Sequence, residues 1–207
     1  MRFPEGHAAH YRRGIRLPRT GVSLTQTSRD DQWLVDRVVR LGDEQAFEVL
    51  YDRHTPYLHR LALRLTGGDS PAAADLVHDA WVKASRRFTA FAGASAFGTW
   101  LAGFVINLAR REWREAGRRT AVDEPPEVPG FEAAVLARID VERVLAKLPP
   151  GARQVLVLHD LEGWTHAQIA EQLALDVGTS KSQLSRARAL ARMHLTAGTS
   201  GGHDDRC

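Results

Sequence analysis

Thr179, Lys181, Ser182, Gln183, Ser185, Arg186, Arg188 and Arg192 crowd one short stretch of this 207-residue chain, and no acidic residue stands between Asp176 and Asp204. On a helix starting near Val177, with Val177, Leu184, Ala187, Ala191 and Leu195 turned inward, these side chains form a positive face without compensating acids. Such a face fits the major groove of duplex DNA, where Lys and Arg pair with guanine edges, Gln pairs with adenine, and Ser or Thr serves base or phosphate. A second group, Asp75, His78 and Asp79, sets two carboxylates four residues apart, so they share a helical face with the imidazole beside them. That face suits a basic partner surface, and could in principle hold a divalent cation.

The basic helix needs a scaffold to present it. Val155, Leu156, Leu158 and Leu161 fall at helical spacing, and Gly163 stops that helix. Thr165 is placed to cap the next helix, whose apolar face is Ile169, Ala170 and Leu173, with the small Ala170 allowing a close crossing. A tight turn over Ala174 to Asp176 leads into the basic helix. The succession is that of a helix-turn-helix reading head. Upstream the pattern is also helical. Trp33, Leu34, Val38 and Leu41 form a first stripe, and Ala46, Phe47, Leu50, Tyr51, Leu58, Leu61 and Leu65 a second. Pro56 should kink or split that second helix. Ser70-Pro71 is expected to open a third helix, Ser70 as the cap, carrying Leu76, Val77, Ala80, Trp81 and Ala84. A loop with Phe88, Phe91, Gly93 and Ser95 precedes a fourth helix bearing Trp100, Leu101, Val105, Leu108 and Trp113.

Composition agrees with this reading. A hydrophobic content of 43% suffices for the cores of one or two domains, and a net charge of +3 leans mildly toward an anionic partner. The only cysteine, Cys207, excludes an internal disulfide framework and a Cys-based zinc site, which fits a reducing cytosol. No apolar run approaches the ~20 residues that cross a bilayer, and no signal-peptide core is visible, so a cytoplasmic protein without membrane insertion is expected.

Shifts in composition divide the chain. Residues 1–28 carry Arg2, Arg12, Arg13, Arg16 and Arg19 with Glu5 as the only acid, and read as a flexible basic extension; a DNA-touching arm, a targeting segment and a misplaced start codon are the other readings. Residues 29–119 form a first helical domain. Residues 120–134, with Pro125, Pro126 and Pro129 and three acids before Gly130, form a flexible linker. Residues 135–196 form a second helical domain, and 197–207 a Gly/Ser-rich flexible tail. The expected fold is all-α, two small helical domains on one tether.

Three segments of the first domain, GDEQAF at Gly42–Phe47, DLVHDAWVKA at Asp75–Ala84 and FAGASAFGTWL at Phe91–Leu101, resemble region two of the bacterial extracytoplasmic-function (ECF) sigma factors. Leu148-Pro149-Pro150, Val155 to Gly163, Ile169-Ala170 and GTSKSQLSRAR at Gly178–Arg188 are similar to region four of that family. Both domains are covered, in order. The resemblance implies a dissociable promoter-specificity subunit of RNA polymerase, with no cofactor and no catalysis of its own. Region two would bind the clamp helices of the largest core polymerase subunit through Asp75, His78 and Asp79. It would also capture a flipped minus-ten base near Phe91, Ser95, Phe97 and Asn107, with Arg110, Arg111, Arg114, Arg118 and Arg119 adding charge along the DNA path. For the aromatic residues, Phe97 and Trp100 above all, core packing is the other role open to them. Region four would read the minus-thirty-five element through Lys181, Ser182, Gln183, Ser185, Arg186 and Arg188, with Thr179 near the phosphates. Family behaviour further implies an anti-sigma factor covering these surfaces.

Three positions depart from the family pattern. Ala174 stands where the turn usually has Gly, which makes a left-handed conformation less comfortable. Ser180 replaces the usual Val and removes an apolar contact between two helices. Ala102 and Gly103 replace bulkier or basic residues, which implies weaker strand melting. Two other function classes are open to the same residues. A stand-alone helix-turn-helix regulator would explain region four but not the motifs from Asp75 to Leu101. A metal-dependent enzyme would use Asp75, His78 and Asp79, but His54, His59, His159, His166 and His194 show no paired ligand spacing, and no phosphate loop or nucleophile motif is present.

Overall fold

The computed structural model describes residues 24–117 and 138–199, and every regular element among them is helical. The expected linker, the first 23 residues, the end of the tail, and Arg118 and Arg119 lie outside the described residues. The first module contains α1 (Leu24–Leu41), α2 (Glu44–Thr66), α3 (Ser70–Ser85) and α4 (Phe97–Gly117), with a short 3-10 turn at Phe88–Ala90. The second contains α5 (Arg138–Lys147), α6 (Pro150–Leu156) followed by a π turn at Val157–Leu161, α7 (His166–Leu173) and α8 (Val177–Thr199). α1 thus begins inside the stretch that composition alone reads as an extension.

Helix ends follow from local chemistry. The Asp43 carboxylate accepts from the Ala46 amide at 3.1 Å to start α2. That helix ends at Gly67, whose left-handed backbone lets its own amide and that of Gly68 return to the carbonyls of Arg64 and Leu63. Pro56 neither splits α2 nor ends it: one helix runs through it. Burial of Leu50, Leu58, Leu61 and Leu65 on both sides of Pro56 outweighs the single amide donor it removes. The cap of α3 is Asp69 rather than Ser70, with the Asp69 carboxylate accepting from the Ala72 amide at 3.0 Å and Pro71 in the first turn. Thr165 forms the capping box of α7 with Gln168: the Gln168 amide donates to Thr165 Oγ1, and the Thr165 amide donates to Gln168 Oε1 at 2.9 Å.

In the first module α2, α3 and α4 pack together and α1 lies against α2. The inward stripe of α1 is Leu34 and Val35 with Val38 beside them. Trp33 and Leu41 instead face outward, at 58% and 72% exposure, and the Arg37 guanidinium lies over the Trp33 ring at 4.9 Å. Asp31 is buried and tied to Arg53 and to His54 Nε2 at 3.0 Å, which fastens α1 to α2. Trp81 donates its indole N–H to Thr55 Oγ1 at 3.0 Å in the core. The two modules are not held apart. Leu145, Leu148, Val155, Val157, Leu158, Ile169, Leu173 and Leu184 join the side chains of α1 to α4 in one apolar core, so the described helices pack as a single body.

The turn between α7 and α8 carries a local strain. Ala174 adopts φ 42°, ψ 62°, the left-handed conformation that favours glycine. Replacing it with Gly removes a Cβ penalty of about 1–2 kcal/mol and adds about 0.4–1 kcal/mol of unfolded-state entropy. Ala174→Gly is therefore expected to stabilise the protein by about 0.5–1 kcal/mol. A urea titration should show a raised midpoint with unchanged slope; an unchanged or lowered midpoint would contradict the assigned strain.

Candidate nucleic-acid interface

α8 is held on one side by the helices that precede it. Its inner face is Ser180, Leu184, Ala187 and Ala191, all buried, and α6 and α7 pack against it. Val177 and Leu195, expected inside, are not in that core: Val177 is 42% exposed and Leu195 half-buried. Thr179, Lys181, Ser182, Ser185 and Arg186 stand exposed along one edge. The Ser182 hydroxyl donates back to the Thr179 carbonyl at 3.0 Å. Gln183 is half-covered, because it lines a cleft with Arg110, Trp113 and Arg114 of α4.

Two residues act here in ways the sequence did not disclose. Asp160 takes a bidentate pair from Arg188, at 3.0 Å from Nε and 2.7 Å from Nη2. The positive face of α8 is therefore partly compensated by an acid 28 residues upstream, and Arg188 braces α8 against the π turn instead of reaching outward. Burial opposes ionisation of the Asp160 carboxyl, but hydrogen bonds from Arg188 and then His159 outweigh it and hold the carboxyl below its ordinary pKa of 3.8. Ser180 does more than leave out an apolar contact. Its hydroxyl is fully buried and meets His166 Nδ1 at 2.9 Å, so a polar bridge joins the start of α7 to α8. Burial first, and then the charges of His159, Lys181 and Arg188, lower the pKa of His166, which keeps this imidazole neutral near pH 7.

The first module offers a second basic surface. A groove of about 610 Å³ runs between the end of α3 and the outer face of α4. Lys83, Arg86, Arg87 and Arg111 supply its charge, Trp100 and Phe104 its aromatic wall, and Asn107 a side-chain amide. Asn107 and Arg111 are exposed, although Arg111 is also engaged with Glu115 one turn on at 2.8 Å. Sequence reasoning missed Lys83, near the end of the Asp75–Ala84 motif, and Arg86 and Arg87, which lie between that motif and the next, because only packing of α3 against α4 brings them to one groove. Ser95 is exposed in the loop before α4. Phe91 and Phe97 are not at the surface: at 6% and 0% exposure they pack with Phe88 and Trp100 in the aromatic core, their own ring centroids 5.1 Å apart. They support the loop from beneath. Arg110 and Arg114 flank the inter-module cleft; burial and then the Arg114 charge lower the pKa of the Arg110 guanidinium.

On α3, Asp75, His78 and Asp79 are all exposed, as the sequence predicts for a shared face. The structure adds Glu112 of α4 to them. Its pKa is raised by burial and then by the charges of Asp75 and Asp79, which makes these carboxylates one acidic surface. Among the described residues no group of three or more His, Cys, Asp or Glu side chains is arranged to hold a metal ion.

A four-helix module with an acidic face and a basic groove, followed by a helix-turn-helix, is the architecture of a two-part transcription factor. The sigma-70 region 2 family matches residues 50–119, and the sigma-70, region 4 family matches residues 138–190. The ECF RNA polymerase sigma factor SigM of Mycobacterium tuberculosis is 37% identical over 179 residues, covering 85% of this chain and 90% of that protein. The ECF RNA polymerase sigma-E factor of Escherichia coli is 33% identical over 176 residues, with 76% and 90% covered. Among solved structures, CnrH in complex with the cytosolic domain of CnrY matches with a TM-score of 0.53 at 26% identity, over 81% of this chain and 98% of that one. The sigma factor RpoE in complex with the anti-sigma factor NepR, from Bartonella quintana, matches in fold with a TM-score of 0.54 at 24% identity, over 72% and 96%. The chain belongs to the ECF RNA polymerase sigma factors.

The Asp160–Arg188 brace has a pH signature. Because the Asp160 pKa is lowered on folding, its contribution to stability is full above pH 3.8 and fades as the pH falls through the lower folded value. Asp160→Asn should therefore lower the melting temperature at pH 7, with the gap to wild type closing below about pH 3.8. An equal gap at both pH values would contradict the brace.

Proposed function

We propose that this sigma factor engages core RNA polymerase through the acidic surface of Asp75, His78, Asp79 and Glu112, and reads promoter DNA with two separate basic surfaces. The single observation that carries this reading is local clustering of charge: Asp75, Asp79 and Glu112 act on one another as an acidic group, while Lys83, Arg86, Arg87 and Arg111 line the groove and Lys181 and Arg186 stand exposed on α8. In region four, Lys181, Ser182, Ser185 and Arg186 are the base-reading residues, Thr179 contacts phosphate, and Gln183 joins them once uncovered. In region two, the groove of Lys83, Arg86, Arg87, Asn107 and Arg111 takes the minus-ten strand, with Trp100 and Phe104 as a stacking wall and Ser95 at its entrance.

The protein itself makes and breaks no bonds in this scheme; RNA synthesis belongs to the polymerase. It acts in the cytoplasm, and no helix among the described residues is long and apolar enough to cross a membrane. An anti-sigma factor is its expected regulator, a reading supported by the similar fold of the sigma factor RpoE in complex with the anti-sigma factor NepR.

The reading separates by mutation. Asp75→Ala with Asp79→Ala should weaken binding to bacterial core polymerase by about tenfold. Arg186→Ala should relax selectivity at one minus-thirty-five position, at about 1–3 kcal/mol. Thr179→Ala should weaken all promoters alike. Titration of fluorescent protein into core polymerase, and transcription from a promoter library, measure these effects. Undiminished core binding by the double variant, or uniform loss with Arg186→Ala, would refute the assignments.

A further inference from the structure

Gln32 lies outside residues 50–119, the segment matched by the sigma-70 region 2 family, and belongs to none of the motifs described above. Its place is set by its neighbours. Asp31 is buried and tied to Arg53 and His54, which fixes this turn of α1. α1 also touches the 3-10 turn and α4, the two elements that bracket residues 91–96. The Gln32 side chain thereby comes to lie against that loop. Its Oε1 is buried, and among the described residues it is the one buried side-chain nitrogen or oxygen with no hydrogen-bond partner. An orphaned acceptor of this kind costs free energy that folded proteins seldom leave uncompensated.

The group that meets this oxygen is Gly93. Its φ is 71°, and a Cβ added there would come within 2.7 Å of Gln32 Oε1, so both the backbone and the contact call for glycine. Glycine offers the oxygen only a Cα–H, a weak contact. The loop itself carries the complementary excess. Ala92, Gly93, Ala94 and Ser95 are exposed, and among the described residues none of their amides donates to a protein acceptor. A loop with free donors therefore lies on an acceptor that lacks one, and rotation of one peptide group is the smallest change that joins them.

We infer that Gln32 is a positioning residue for minus-ten recognition: when the DNA strand enters beside Ser95, one loop amide turns inward and donates to Gln32 Oε1, which holds the loop on the strand. In the free chain that bond is open. The strand shifts the loop to the bonded form to the extent that it contacts that form better. The desolvation of Oε1 is already met on folding, so the bond made on recognition adds its full strength to the bound state. The inference rests on the minus-ten reading proposed above.

Gln32→Met keeps the length of the side chain and removes the acceptor. Because that acceptor is unpaired in the free chain, its removal should leave the melting temperature of the full chain unchanged or raise it. Transcription by core polymerase carrying the variant is then compared with wild type on a promoter library randomised across the minus-ten element, with the minus-thirty-five element fixed. Base preference at the minus-ten positions should weaken about fivefold, while affinity for core polymerase stays the same. Hydrogen exchange in the promoter complex gives a second measurement: the wild type should protect one more amide within residues 92–95 than the variant does. A purely structural role would instead lower the melting temperature and the minus-ten preference together. Full retention of the preference by Gln32→Met, equal loop protection in both proteins, or a lowered melting temperature would overturn the inference. A wild type with no minus-ten preference would refute the minus-ten reading itself, and the inference with it.

Discussion

The Arg153 guanidinium is the point on which the packing of the whole chain turns. It is buried, and its partners are backbone carbonyls: Leu145 at 2.7 Å, Ala146 at 3.2 Å and Leu148 at 2.9 Å at the end of α5, and Leu65 at 3.3 Å at the end of α2. Helix C-termini leave carbonyls without amide partners and carry a partial negative charge, so one cation offsets both deficits at two helix ends. Burial lowers its pKa, the signature of a desolvated charge held only by dipoles. Gly67 makes the approach possible, because a Cβ there would stand 2.6 Å from Arg153 Nη1. The turn that ends α2 is thus also the seat of region four.

From that junction the functional surfaces follow. α6 begins beside Trp113, whose ring would meet a Cβ on Gly151 at 3.0 Å, and its continuation sets the π turn that carries Asp160 and Glu162. These neighbouring acids face different ways. Asp160 braces α8 through Arg188, while Glu162 reaches across to Tyr57 and Arg64. Burial, and then the Glu162 charge, push the Tyr57 phenol above its ordinary pKa, so it stays a hydrogen-bond donor. One turn therefore connects the orientation of α8 to the contact between the two modules.

The sequence disclosed features whose physics is local. The α7 cap at Thr165, the start of α8 at Val177 and the exposed face of Asp75, His78 and Asp79 all follow from spacing within one or two turns. Its failures have a common cause. Asp160–Arg188, Arg153–Leu65 and Glu162–Tyr57 join residues far apart in the chain, and no periodicity announces such pairs. Phe91 and Phe97 were ambiguous because an aromatic residue near a loop serves a base pocket or a core equally well, and only packing decides. Trp33 and Leu41 were placed inside because an apolar stripe two turns long tolerates more than one register. The Phe97–Trp100 region and the basic groove beside it emerged only once α3 and α4 lay together.

The most direct test of the account is transcription by bacterial core polymerase supplied with this purified chain on genomic DNA, with every RNA 5′ end mapped. Discrete start sites, sharing a minus-ten and a minus-thirty-five element at fixed spacing, are the predicted result. Initiation no different from that of core polymerase alone would contradict it.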